Sequence, residues 1–83
     1  MDRPLALVID DEPDICELIA ITLERMDVAS DICGDLATAK AALKRKRYQL
    51  CLTDMRLPDG DGLDLVEWMQ QQSLPTPVAV ITA

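Results

Sequence analysis

The chain contains no histidine, which removes imidazole metal ligands and every Ser-His or Cys-His nucleophilic arrangement. Its three cysteines, Cys16, Cys33 and Cys51, are odd in number and form no CxxC pair. A disulfide framework or a thiolate zinc site therefore does not fit, whereas a reducing compartment does. No apolar run approaches the roughly 18 residues that a membrane span requires, and the N-terminus opens on an acid. A cytoplasmic protein without a membrane segment is expected. Positive charge is also scarce: 8 Lys and Arg against 15 Asp and Glu give a net charge of -7. Direct nucleic-acid binding by this segment is accordingly disfavoured. The 83 residues have room for one small domain, and at 49% hydrophobic and 28% charged they are too apolar for a disordered chain.

The apolar pattern alternates between two kinds of element. Residues 5–9 form an unbroken apolar run that stops at Asp10, Asp11, Glu12 and Pro13, as in a strand buried on both faces of a parallel sheet. Ile15, Leu18, Ile19, Leu23 and Met26 then recur at helical spacing, with Pro13 suited to a first helical position, which predicts a helix over 13–25. Residues 28–33 predict a half-exposed edge strand, and Asp35 can cap a second helix with Leu36, Ala39, Ala42 and Leu43 on one face. The basic residues Lys40 and 44–47 gather at that helix's negative end and are read as a solvated helix terminus rather than a phosphate patch. Residues 50–53 are a third strand, again ending at an acid, Asp54. A loop over 55–62 and a third helix over 63–72, with Leu63, Val66 and Met69 inward and Leu65 a further candidate for that face, precede a fourth strand at 78–81 that ends at Thr82.

Right-handed crossovers bring the C-terminal ends of parallel strands to one edge, where open α/β sheets bind ligands. Asp10, Asp11, Asp54 and Thr82 all fall at such ends. If the first and third strands are neighbours, three carboxylates converge, and like charges so close call for a bound cation or a shared proton. Magnesium suits oxygen donors in an open pocket shared with a phosphoryl group. Each residue alone has a simpler explanation: Asp10 to Glu12 can cap the first helix, Asp54 can end a strand, and Thr82 alone says little. The weight lies in their conjunction. The acids of PDGDGLD, residues 58–64, do not make a calcium loop, since Leu63 stands where an oxygen ligand is needed and no bidentate Glu follows. Trp68, Tyr48 and the four methionines are expected to serve packing.

The segments LVIDDEPDI at 7–15, LTDMRLPDGDGLDLV at 52–66 and PVAVITA at 77–83 closely resemble the receiver domain of two-component response regulators, with wording most like the NtrC class. That resemblance spans the chain. It implies a flavodoxin-like (CheY-like) doubly wound parallel sheet, with strand order 2-1-3-4 for the four strands present. It also implies a phosphoryl acceptor at Asp54, supplied by a sensor histidine kinase. Mg2+ would be held by Asp10, Asp11, Asp54 and the backbone carbonyl of Arg56, with Thr82 as the switch hydroxyl. Family members continue with a further helix, a strand bearing a lysine that contacts the phosphoryl group, and a last helix. Residues 1–83 are thus expected to be the N-terminal part of a receiver domain, with impaired transfer or readout. The fourth strand is expected to self-associate, as a homodimer through its edge or through exchanged elements. Transcription would be regulated through an output domain outside this chain, and no enzymatic turnover is expected. Two rivals stand beside this reading. One is a magnesium-dependent aspartyl phosphohydrolase, whose DxDxT pattern is absent at both Asp10 and Asp54; the other is a non-phosphorylated interaction fragment.

Overall fold

Short strands, two of them apolar runs that stop at Asp10 and Asp54, become the sheet. The computed structural model describes residues 3–81. It comprises β1 (Leu5–Ile9), α1 (Pro13–Arg25), β2 (Ala29–Cys33), α2 (Leu36–Arg45), β3 (Leu50–Asp54), β4 (Arg56–Leu57), β5 (Gly60–Asp61), α3 (Gly62–Gln71) and β6 (Val78–Ile81). The four long strands are parallel, as the alternation of strands and helices predicts, and stand in the order β2-β1-β3-β6, the 2-1-3-4 order that the resemblance implies. The expected loop over 55–62 holds a feature the turn residues did not reveal, the two-stranded antiparallel ribbon β4-β5.

Strand alternation divides the core. Leu7 and Ile9 of β1 join Cys33, Cys51, Leu36, Ala39, Ala42, Leu43, Leu65 and Met69 on the side of α2 and α3. Ala6 and Val8 point the other way, to Leu23 of α1 with Ile19, Leu50 and Leu52 around it. All of Ala6–Ile9 is buried, as a strand covered on both faces requires.

In two helices only part of the expected face is buried: Leu23 and Ile19 of α1 and Leu65 and Met69 of α3 pack inward, and other expected residues do not. In α1 the buried residues are Cys16 and Leu23, whereas Leu18 and Met26 are exposed and Ile15 marginally so. The helix carries two adjacent apolar stripes, and the one that begins at the small thiol of Cys16 lies against the sheet. In α3 the inner face is Gly62, Leu65 and Met69, and Leu63 is exposed. At Gly62 the helix lies so near β3 that a Cβ would meet the carbonyl oxygen of Asp54 at 2.4 Å, so the side without a side chain turns to the strand. Tyr48 is buried as expected, with its hydroxyl donating to Asp31 at 2.7 Å, and Lys46 also reaches Asp31, at 3.1 Å. Thr82 lies outside the described residues. No helix among the described residues is long and apolar enough to cross a membrane.

Candidate acidic pocket at the switch point

The chain reverses its winding between β1 and β3, and the crevice at the C-terminal ends of these two strands is where doubly wound sheets bind ligands. Ile9 is in register with Thr53, so the next residues on each strand, Asp10 and Asp54, emerge side by side. Asp11 follows in the short turn before α1. One carboxylate oxygen from each of Asp10, Asp11 and Asp54 lies within 4.8 Å of the others. Asp10 and Asp54 are half-buried and Asp11 is exposed. The ion pairs among the described residues join Arg3 to Glu24 and Asp27, and Lys46 to Asp31, and none reaches the acidic triad.

Backbone amides shape the site. The amide of Met55 donates to Asp54 Oδ1 at 2.8 Å, which steadies the carboxylate and leaves Oδ2 free of that bond. The amide of Glu12 donates to Asp10 Oδ1 at 2.9 Å and so turns the chain into α1. The Cys16 thiol donates to the carbonyl of Asp10 at 3.2 Å. Burial, reinforced by the charges of Asp10 and Asp11, pushes that thiol up, so it stays protonated and is no nucleophile. Burial likewise raises Cys33, and takes Cys51 up to about 12. A cleft of about 600 Å³ opens beside the triad between α1 and β2, lined by Asp10, Asp11, Cys16, Ile32 and Asp35 among others, but not by Asp54.

Arg56 follows Asp54 by two residues and opens the β4-β5 ribbon. The carbonyl of Met55 accepts from the amide of Gly62 at 2.7 Å, which ties the loop after Asp54 to the start of α3. At the tip of the ribbon, Asp59 accepts from the amides of Leu36 at 2.8 Å and Ala37 at 3.1 Å, the first residues of α2. These bonds, Leu36 foremost, hold the Asp59 carboxyl below the usual range. The amide of Asp61 donates to Asp64 Oδ2 at 2.9 Å, as in a capping box. Asp59 and Asp64 are therefore occupied by helix termini, which accounts for the acids of the 58–64 segment without calcium. Inspection of the sequence missed the role of Asp59 because its partners lie 22 and 23 residues away.

The donor set fits a hard divalent cation: three carboxylates, oxygen only, with no ion pair to them among the described residues. A doubly wound sheet with an acidic pocket at its switch point defines a ligand-binding α/β domain of the receiver type. The chain belongs to the response regulator receiver domain family, whose model matches residues 6–83. It is 54% identical over 83 residues to the response regulator protein PilR of Pseudomonas aeruginosa, a match covering 100% of this chain and 19% of that protein. It is 34% identical over 77 residues to the probable transcriptional regulatory protein TcrX of Mycobacterium tuberculosis, covering 93% of this chain and 33% of the relative. The chain thus spans a fifth to a third of the length of these two relatives. Among solved structures, a sensor protein from Polaromonas sp. JS666 superposes with a TM-score of 0.92 at 30% identity, over 99% of this chain and 67% of that one. The MaeR response regulator bound to beryllium trifluoride superposes with a TM-score of 0.86 at 28% identity, over 96% of this chain and 67% of that one.

Proposed function

We propose that this receiver domain, a cytoplasmic module, accepts a phosphoryl group on Asp54 from the phosphohistidine of a sensor histidine kinase. The observation that carries the reading is the convergence of Asp10, Asp11 and Asp54 within 4.8 Å at the switch point of a receiver fold. Asp10, Asp11, Asp54 and the Arg56 carbonyl would hold Mg2+, which supplies charge neutralisation for an incoming phosphoryl group. Asp54, steadied through Oδ1 by the Met55 amide, presents its other oxygen to phosphorus. A carboxylate O–P bond forms, the N–P bond of the phosphohistidine breaks, and the imidazole nitrogen keeps the electron pair. Positioning and electrostatics supply most of what such a transfer needs. Thr82, directly after β6, is the hydroxyl proposed to respond to the acyl phosphate. The domain acts as a stoichiometric acceptor, not a turnover enzyme, and serves transcriptional regulation through an output domain.

Intact mass after incubation with a small phosphodonor, with and without magnesium, tests the reading beside Asp54→Ala. The expected result is one added phosphoryl group that requires both magnesium and Asp54. A gain that persists in Asp54→Ala, or that ignores magnesium, overturns it.

A further inference from the structure

We propose that Asp59 is a positioning residue for the cation site, acting by fastening the loop that carries the Arg56 carbonyl to the N-terminus of α2. The inference rests on the reading of Asp10, Asp11, Asp54 and Arg56 as the cation-binding set. Both oxygens of Asp59 are engaged, Oδ1 by the Leu36 amide at 2.8 Å and Oδ2 by the Ala37 amide at 3.1 Å. A two-point attachment fixes the orientation of the ribbon as well as its distance from the helix. These amides are orphan donors of the first turn, at the positive end of the helix dipole, so a carboxylate is well matched to them.

Steric contact reinforces the tie. Gly60, with φ of 151°, lies so close to α2 that a Cβ there would meet Leu36 Cδ1 at 2.5 Å. Leu36 in turn is anchored in the core with Leu43 and Leu57. The ribbon is only two residues long on each side, pairing Arg56 with Asp61 and Leu57 with Gly60. A ribbon this short does not hold its own place; with the Gly62-to-Met55 bond at its base and Leu57 in the core, the attachment at its tip sets the course of the backbone at Arg56. Capping of α2 alone is not the whole explanation, because Asp35 already serves as its N-cap, accepting from the Thr38 amide at 2.8 Å.

Asp35 also supplies the control. Asp59→Ala and Asp35→Ala each remove one negative charge from the start of α2, the first with two accepted bonds and the second with one, but only the first releases the ribbon. Magnesium affinity is measured by isothermal titration calorimetry on the full chain, and folding by thermal unfolding. Asp59→Ala is expected to weaken magnesium binding about tenfold, the scale of losing an outer-shell partner. Asp35→Ala is expected to lower the unfolding midpoint while leaving affinity within about twofold, since Asp35, though it lines the neighbouring cleft, is not one of the three converging carboxylates and is half-exposed to screening solvent. Asp59→Asn keeps an acceptor oxygen for one amide and recovers part of the affinity; it also replaces Asp59→Ala if that variant does not fold. Unchanged affinity in Asp59→Ala or Asp59→Asn, or equal losses in the Asp59 and Asp35 variants, overturns the positioning role while the cation site stands. A wild-type chain that binds no magnesium takes down both.

Discussion

Gly62→Ala places one methyl group where the acceptor strand and α3 meet. An ideal Cβ at Gly62 lies 2.4 Å from the carbonyl oxygen of Asp54 and 3.1 Å from Thr53 Cγ2. Ordinary contact begins near 3.4 Å, so helix and strand must separate by about 1 Å, and the obstacle is backbone that cannot rotate aside. Overpacking of this kind costs about 1–3 kcal/mol. Alanine's smaller unfolded-state entropy offsets about 0.4–1 kcal/mol of that. The net destabilisation is about 1–2 kcal/mol, a fall in the unfolding midpoint of roughly 5–15 °C for a domain of this size. The same displacement shifts the carboxylate of Asp54 and strains the bond from the Gly62 amide to the Met55 carbonyl, now 2.7 Å. A misplacement of this order can slow transfer about 100-fold. Differential scanning calorimetry gives the midpoint, and the initial rate of phosphoryl mass gain gives the transfer. A Gly62→Ala chain with the wild-type midpoint and rate would refute the claim that close packing at this glycine sets the acceptor geometry.

Two further perturbations address the acids. Asp31 is held below the usual carboxylate range first by the Tyr48 hydroxyl and then by Lys46. Because the folded value is the lower one, the linked stability is present above the unfolded value of about 3.9 and is lost as pH falls through the folded value. Tyr48→Phe should lower stability at neutral pH by about 1 kcal/mol and flatten the loss below about pH 4. Urea unfolding at pH 7 and pH 3 measures both, and parallel losses in the two chains would count against the link. Asp11→Asn removes one of three converging carboxylates, so without magnesium it should unfold at a higher temperature than wild type. It should also lack the midpoint rise that saturating magnesium produces in the wild-type chain, about 2.7 kcal/mol at 100 times the dissociation constant. A magnesium-dependent rise of equal size in both chains would remove Asp11 from the site.

What was legible in the sequence follows the range of the interaction that decides it. The strand at Leu5–Ile9 declares itself because five successive apolar residues leave no face for water, and its end at Asp10 is set by the first charges. The convergence of Asp10, Asp11 and Asp54 needed one more step, the handedness of crossovers, which is a rule of chain chirality rather than of any residue. Side-chain stripes on the helices were less legible. In α1, Ile15 and Leu18 are more apolar than Cys16, yet Cys16 is buried and they are exposed, because the rotation of the helix follows the seating of Leu23 and Ile19 against Ala6 and Val8 and not the hydrophobicity of single residues. The clasp of Asp59 on α2 was not legible at all. Within its own segment Asp59 is one more turn-forming acid among Asp61 and Asp64, and only the folded chain brings it to Leu36 and Ala37. The residues that set the acidic pocket are therefore of two kinds. The oxygens that face a ligand are announced by strand ends, while Gly62 and Asp59, which hold the strand end and its loop in place, act through contacts that exist only in the folded chain.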